Sequence, residues 1–171
     1  MSKICLNNTG INLILTTTIT SNGMEITREP NKILHHKLKR VEEITPEIKA
    51  LILDMKIAMK EANGIGLSAN QVGQDLQIFV IDKKLAEQNG VPDVYINPEI
   101  TEYSKELLEA EEGCLSIPDY WQQVKRSKKV KMKALDENGK KIKIKARGLL
   151  ARVLQHEYDH LQGKTIKDRK D

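Results

Sequence analysis

"LQHEYDHLQG", Leu154 to Gly163, is the stretch from which the rest of the chain can be read. His156 and His160 stand four residues apart, with Glu157 directly after the first. On a helix, residues i and i+4 share one face, so two neutral imidazoles at this spacing can hold one metal ion. Glu157 is turned by about 100° from His156. It can reach a water on that ion without ligating it, which is the position of a general base. The apolar pattern around the stretch predicts a helix over Leu149 to Leu161, with Gly148 before it and Gly163 after it. Two histidines falling by chance on a buried helix face is the bland alternative. With four histidines in the whole chain and a glutamate correctly placed, the metal reading is the stronger.

The third ligand decides the class of site. One group of zinc proteases continues HExxHxxGxxH. Here Gly163 takes the glycine place, but Ile166 stands where the third histidine would be. Another group takes a downstream glutamate. After His160 there is none, only Asp168 and Asp171. The search therefore moves upstream, to Cys114 in "EEGCLSIP", Glu111 to Pro118. Gly113 lets the backbone bend close to an ion. A thiolate bound to a divalent ion is stable in the deprotonated form. A lone cysteine is as readily a small buried hydrophobe, the reading that suits Cys5. Spacing alone does not decide for Cys114.

Length and composition fit this picture. The chain has 171 residues, enough for one domain with its own core, and 39% of them are hydrophobic. No run approaches the roughly 20 apolar residues of a membrane span. Two cysteines are too few for a disulfide framework and point to a reducing compartment. Residues 1–23 contain one charge, Lys3, and are rich in Thr and Asn. They read as an extension of uncertain role before a single domain over 24–171, with Met24 as an internal start. An organelle-targeting segment is the other reading.

Thr45-Pro46 marks a helix start, with Thr as N-cap and Pro at the first helical position. Apolar residues from Ile48 to Ala62 then recur at helical spacing, which predicts a helix at about 45–62. A glycine-rich loop follows, then a buried strand over Leu76 to Asp82. Segments at Val94 to Ile96 and Ile100 to Leu108 are further strands. Val130, Met132 and Ala134 alternate with lysines, as do Ile142, Ile144 and Ala146. Asp136 to Gly139 lies between them, which predicts a hairpin. Strands bracketed by two helices indicate an α+β fold.

Three segments together resemble the peptide deformylase family. "GIGLSANQ", Gly64 to Gln71, is similar to its glycine motif; "EGCLS", Glu112 to Ser116, and "HEYDH", His156 to His160, match its other two. They occur in the family's order, over roughly Glu25 to Lys164. The resemblance implies antiparallel sheets packed around a central helix that carries HEYDH. It implies a mononuclear metal site of Cys114, His156 and His160, most often Fe²⁺, with Zn²⁺ or Ni²⁺ as alternatives. The reaction implied is hydrolysis of the N-formyl group of formyl-methionyl nascent peptides. Metal-bound water would be the nucleophile and Glu157 the general acid/base. The side-chain amide of Gln71 and the backbone N–H of Leu115 would stabilise the oxyanion.

Substrate contacts are expected from Gly66, by strand pairing with the peptide, and from Glu112 and Gly113. Ile65, Leu149 and Val153 are expected to line a methionine pocket, although core packing explains Leu149 and Val153 nearly as well. Ser68 replaces the usual alanine, a change expected to leave the chemistry alone. Arg152 stands where an apolar pocket residue is common and is expected to narrow or polarise the site. Trp121 is expected to border the peptide groove. Many bacterial members continue into a C-terminal helix implicated in ribosome contact, for which this sequence has no room.

Lys125 to Arg147 holds eleven Lys or Arg against Asp136 and Glu137. A solvated sheet face is the plain reading; contact with ribosomal RNA is the alternative. His35 and His36 are expected in an extended segment, away from the site. The resemblance points to a cytoplasmic monomer with no membrane association. Two other functions remain to be tested: an HExxH endopeptidase, and a basic RNA-binding protein with a structural metal site.

Overall fold

A computed structural model of the protein describes residues 23–169. The expectations for residues 1–22, including Cys5, lie outside these. The first long helix, α1 (Pro46–Glu61), starts where Thr45 Oγ1 accepts a hydrogen bond from the Ile48 N–H at 3.4 Å. It ends near Asn63, whose φ of 54° is left-handed. Three strands follow in a meander: β1 (Gly66–Ser68), β2 (Ile78–Ile81) and β3 (Val94–Tyr103). The strand expected at Ile100–Leu108 is not one element: its first part continues β3, the chain leaves the sheet at 104–106, and its end opens the next strand. A one-turn 3₁₀ helix, Ala69–Val72, separates β1 from β2. The glycine-rich segment is thus part strand and part 3₁₀ turn, not a plain loop. A short helix, α2 (Lys83–Asn89), which periodicity does not predict, links β2 to β3.

The expected hairpin is present as β6 (Lys129–Leu135) and β7 (Lys141–Arg147). With β1 to β3 it makes a five-stranded antiparallel sheet in the order β1-β2-β3-β6-β7. A second sheet pairs β4 (Leu107–Cys114) with β5 (Ile117–Ser127). The last helix, α3 (Gly148–Leu161), carries HEYDH and buries most of its residues between these sheets.

Burial explains the two kinds of strand pattern. Ile78, Val80, Val94 and Ile96 pack with Met55 and Met59 of α1. Phe79, Ile81 and Tyr95 pack on the other side with Leu150 and Leu154 of α3. A strand covered on both faces reads as a continuous apolar run. β6 and β7 are covered on one face only, so Met132 and Ile144 are buried while lysines alternate outward. His35 does not lie in an extended segment: Lys32–His35 is a 3₁₀ turn. That segment packs on the end of α3, with Leu38 N–H bonded to Leu161 O at 3.0 Å.

Candidate active site

Cys114 is at the end of β4, where the register shifts before the turn into β5. It faces α3, and its sulfur lies 3.3 Å from His160 Nε2. Ligand atoms of Cys114, His156 and His160 all fall within 4.8 Å of one another, and all three residues are buried. Among the described residues this is a cluster of three donors, whereas a structural site normally closes with four. Ile166, which displaces the histidine of the protease pattern, is buried against Cys114 and Ile117.

The donors suit a divalent transition ion. Sulfur and imidazole nitrogen are the ligands that such ions favour. Nδ1 of His156 is taken by Glu112 Oε2 at 3.0 Å, which leaves Nε2 for an ion. Nδ1 of His160 is buried with no hydrogen-bond partner. Burial pushes the His160 pKa well below its ordinary value, whereas for His156 the effect of burial is outweighed by bonds to Cys114 and Glu112, which push it well above.

Glu112 holds His156 in place, through the bond from Oε2 to Nδ1. Its carboxylate is 1% exposed. Arg126 Nε donates to Oε1 at 2.6 Å and Nη2 to Oε2 at 2.9 Å, a two-pronged pair. Arg152 Nη1 also donates to Oε1, at 2.6 Å. Burial alone would raise the Glu112 pKa, but the bonds from His156 and Arg126 hold it well below the usual carboxylate range. Arg126 also reaches Asp159 Oδ2 at 2.8 Å, and Arg169 closes the network on Asp159. Arg126 therefore leaves the basic surface to which its hairpin position assigned it. Val124, two residues earlier on β5 and fully buried, marks the same inward face.

Arg152 is likewise turned into this network, donating to Val124 O at 2.9 Å and to Leu108 O. A cleft beside the metal ligands is lined by Ile65, Glu112, Gly113, Arg152, Val153, His156 and Glu157. Leu149, expected there, is 45% exposed and does not line the cleft. Trp121 pairs with Gly113 in the β4–β5 register, and a Cβ on Gly113 would lie 2.9 Å from its ring.

Glu157 is held from two sides. Ser68 Oγ donates to its Oε2 at 2.7 Å. A Cβ on Gly66 would lie 2.2 Å from its Oε1, so only glycine leaves room for the carboxylate. Burial raises the Glu157 pKa, against the lowering effect of His156 and of Ser68. The serine taken as a neutral replacement is thus bonded to the proposed base. Its only signal in the sequence is a hydroxyl where the family motif usually has alanine. Gln71 is fixed by its Oε1, which accepts the Ser68 N–H at 2.9 Å. Its Nε2 points to Cys114 Sγ at 3.5 Å and Ser116 Oγ at 3.1 Å. Leu115 is buried beside Cys114 in the β4–β5 turn.

A fold of two antiparallel sheets around a helix that bears HExxH, joined to an upstream cysteine, defines a mononuclear metal-hydrolase class of site. The chain belongs to the polypeptide deformylase family, whose sequence profile matches residues 24–171. It is 47% identical over 146 residues to a peptide deformylase of Thermodesulfovibrio yellowstonii, spanning 85% of this chain and 88% of that one. Among solved structures, a peptide deformylase of Synechococcus elongatus in complex with actinonin superposes with a TM-score of 0.81 at 40% identity, over 86% of this chain and 80% of that one. That of Thermotoga maritima gives 0.79 at 37%, over 85% and 96%.

Proposed function

We propose that this peptide deformylase-class enzyme removes the N-formyl group from formyl-methionyl peptides through a site held by Cys114, His156 and His160. The carrying observation is the cluster of these three buried donors, with Gln71 Nε2 at 3.5 Å from Cys114 Sγ and Glu157 lining one cleft with His156. Fe²⁺ is the proposed native ion, with Zn²⁺ or Ni²⁺ able to take the same donors. When bound, the ion supplies Lewis acidity and lowers the pKa of a water it holds. Glu157 would take up a proton from the attacking water and return it to the leaving amine; Oε1 is the oxygen for this, since Oε2 holds the Ser68 hydroxyl. Gln71 Nε2 and the Leu115 N–H serve the oxyanion.

β1 ends the five-stranded sheet, so its outer edge is available to an extended peptide at Gly66. Ile65, Gly113 and Val153 form the methionine pocket. Residues 24–171 act as one catalytic domain, supported by the span of the family match. A cytoplasmic monomer fits a nascent-chain substrate, and no described helix is long and apolar enough to cross a membrane.

Formate release from formyl-Met-Ala-Ser, with protein purified anaerobically and loaded with Fe²⁺, tests the proposal. Turnover is expected. No release at any metal loading would overturn it. Glu157→Ala is expected to keep its metal and be nearly inactive, whereas Cys114→Ala is expected to lose the metal. The reverse pattern would mean that the two roles are misassigned.

A further inference from the structure

We propose that the outward face of β6 and β7 is a docking surface for the phosphate backbone of RNA. The register of the hairpin sets like charges directly opposite one another: Lys129 with Arg147, Lys131 with Lys145, and Lys133 with Lys143. Cross-strand neighbours of like charge destabilise a sheet. Three such pairs in succession are a cost that the fold itself does not require.

Neighbouring acids offset only part of this charge: they stand opposite two lysines of β6, while Lys129 and the three cations of β7 have no acid opposite them. β3 places Glu99 and Glu102 beside Lys133 and Lys131, and Lys131 pairs with Glu102 at 2.7 Å. Among the described residues, Lys133, Lys143, Lys145 and Arg147 make no ion pair. Lysines on an edge strand can serve to keep other chains off. That accounts for β7, the end of the sheet, but not for β6, which lies between β3 and β7.

The face is also concave. A cleft of about 440 Å³ is lined by Lys129, Lys131, Lys145 and Arg147, together with Glu102 of β3 and Gln88 and Asn89 from the end of α2. Cations along one strand recur at about 6.8 Å, twice the rise per residue. Such a row matches a linear polyanion. Exposed aliphatic or aromatic side chains, which a lipid surface would call for, are absent from the residues lining the cleft. The choice of RNA as the polyanion rests on the reading of the chain as an enzyme of nascent peptides; the charge ladder does not.

The decisive variant is Lys143→Glu/Lys145→Glu/Arg147→Glu. It turns each like pair into an opposite pair, so its melting temperature should equal or exceed that of the wild type. Fluorescence anisotropy with a short labelled RNA of mixed sequence, over a salt series, reads binding. For the wild type, log Kobs should fall against log[salt] with a slope of about −2, from roughly three phosphates at about −0.7 each. The variant should bind at least about tenfold more weakly with a shallower slope. A control with the same charge change elsewhere, Lys49→Glu/Lys84→Glu/Lys164→Glu, should keep most of the affinity. Hydrolysis of free formyl-Met-Ala-Ser should be unchanged in the variant, which separates this proposal from the proposed function. Equal loss in the control, absence of salt-dependent RNA binding by the wild type, or binding to anionic vesicles in preference to RNA would each overturn it.

Discussion

Around Glu157, position is set by residues that carry no charge. Ser68 Oγ fixes one carboxylate oxygen, and the bare backbone of Gly66 makes room for the other. Gly66 is paired with Ile81 in the sheet, so the strand cannot simply retreat from an added methyl. Gly66→Ala is therefore expected to displace the base while leaving the three metal donors in place. Its kcat should fall by at least about a hundredfold, the lower end of what a positioned acid/base group supplies, with metal content near that of the wild type. Loss of metal together with activity would show a wider collapse of the site. Ser68→Ala is milder, since alanine fits the space. Loss of one hydrogen bond to a charged group should lower kcat on the order of tenfold, with KM little changed. A change confined to KM would place the hydroxyl on the substrate instead of the base. Nothing in "GLSANQ" alone distinguishes these outcomes. The partner of Ser68 lies 89 residues away, and only the fold brings the two together.

Between elements, a buried charge network ties β4, β5 and α3. Glu112, Arg126 and Asp159 are all nearly inaccessible, and each depends on the others for neutralisation. Removing one member strands charge in the interior. Arg126→Met is expected to cost about 3–5 kcal/mol, read from the urea midpoint. Because Glu112 also orients His156, metal affinity should drop by about 10–100-fold. Full stability with unchanged affinity would show that the network is incidental. These elements also mark where sequence reading succeeds. Helix α1, helix α3 and the β6–β7 hairpin were legible, because a cap, a 3.6-residue period or a two-residue alternation repeats within each. Strand β5 shows alternation only toward its end, around Val124 and Arg126, and α2 is too short for a period to register. The three metal donors were legible through motifs. The role of Glu112 was not, since its partners Arg126, Arg152 and His156 lie 14 to 44 residues away.

At the scale of the whole molecule, an ion on the three donors would be a cross-link as well as the centre of the proposed chemistry. Cys114 belongs to the two-stranded sheet, while His156 and His160 belong to the helix packed beneath the five-stranded one. An ion shared by the three donors fastens the sheets through α3 and has no equivalent site in the unfolded chain. Ligands that bind only the folded state stabilise it, by about 4 kcal/mol at a thousandfold excess over Kd. For a chain of this size each kcal/mol moves the melting temperature by about 2–4 °C. The metal-free protein, prepared by chelation, should thus melt about 8–16 °C below the loaded form. Glu157→Ala keeps all three donors and should show the same difference between its two forms. Cys114→Ala should melt at one temperature whether or not metal is added. Differential scanning calorimetry of these six samples decides the matter: equal melting of the loaded and metal-free wild type would mean that the ion does not join the two sheets.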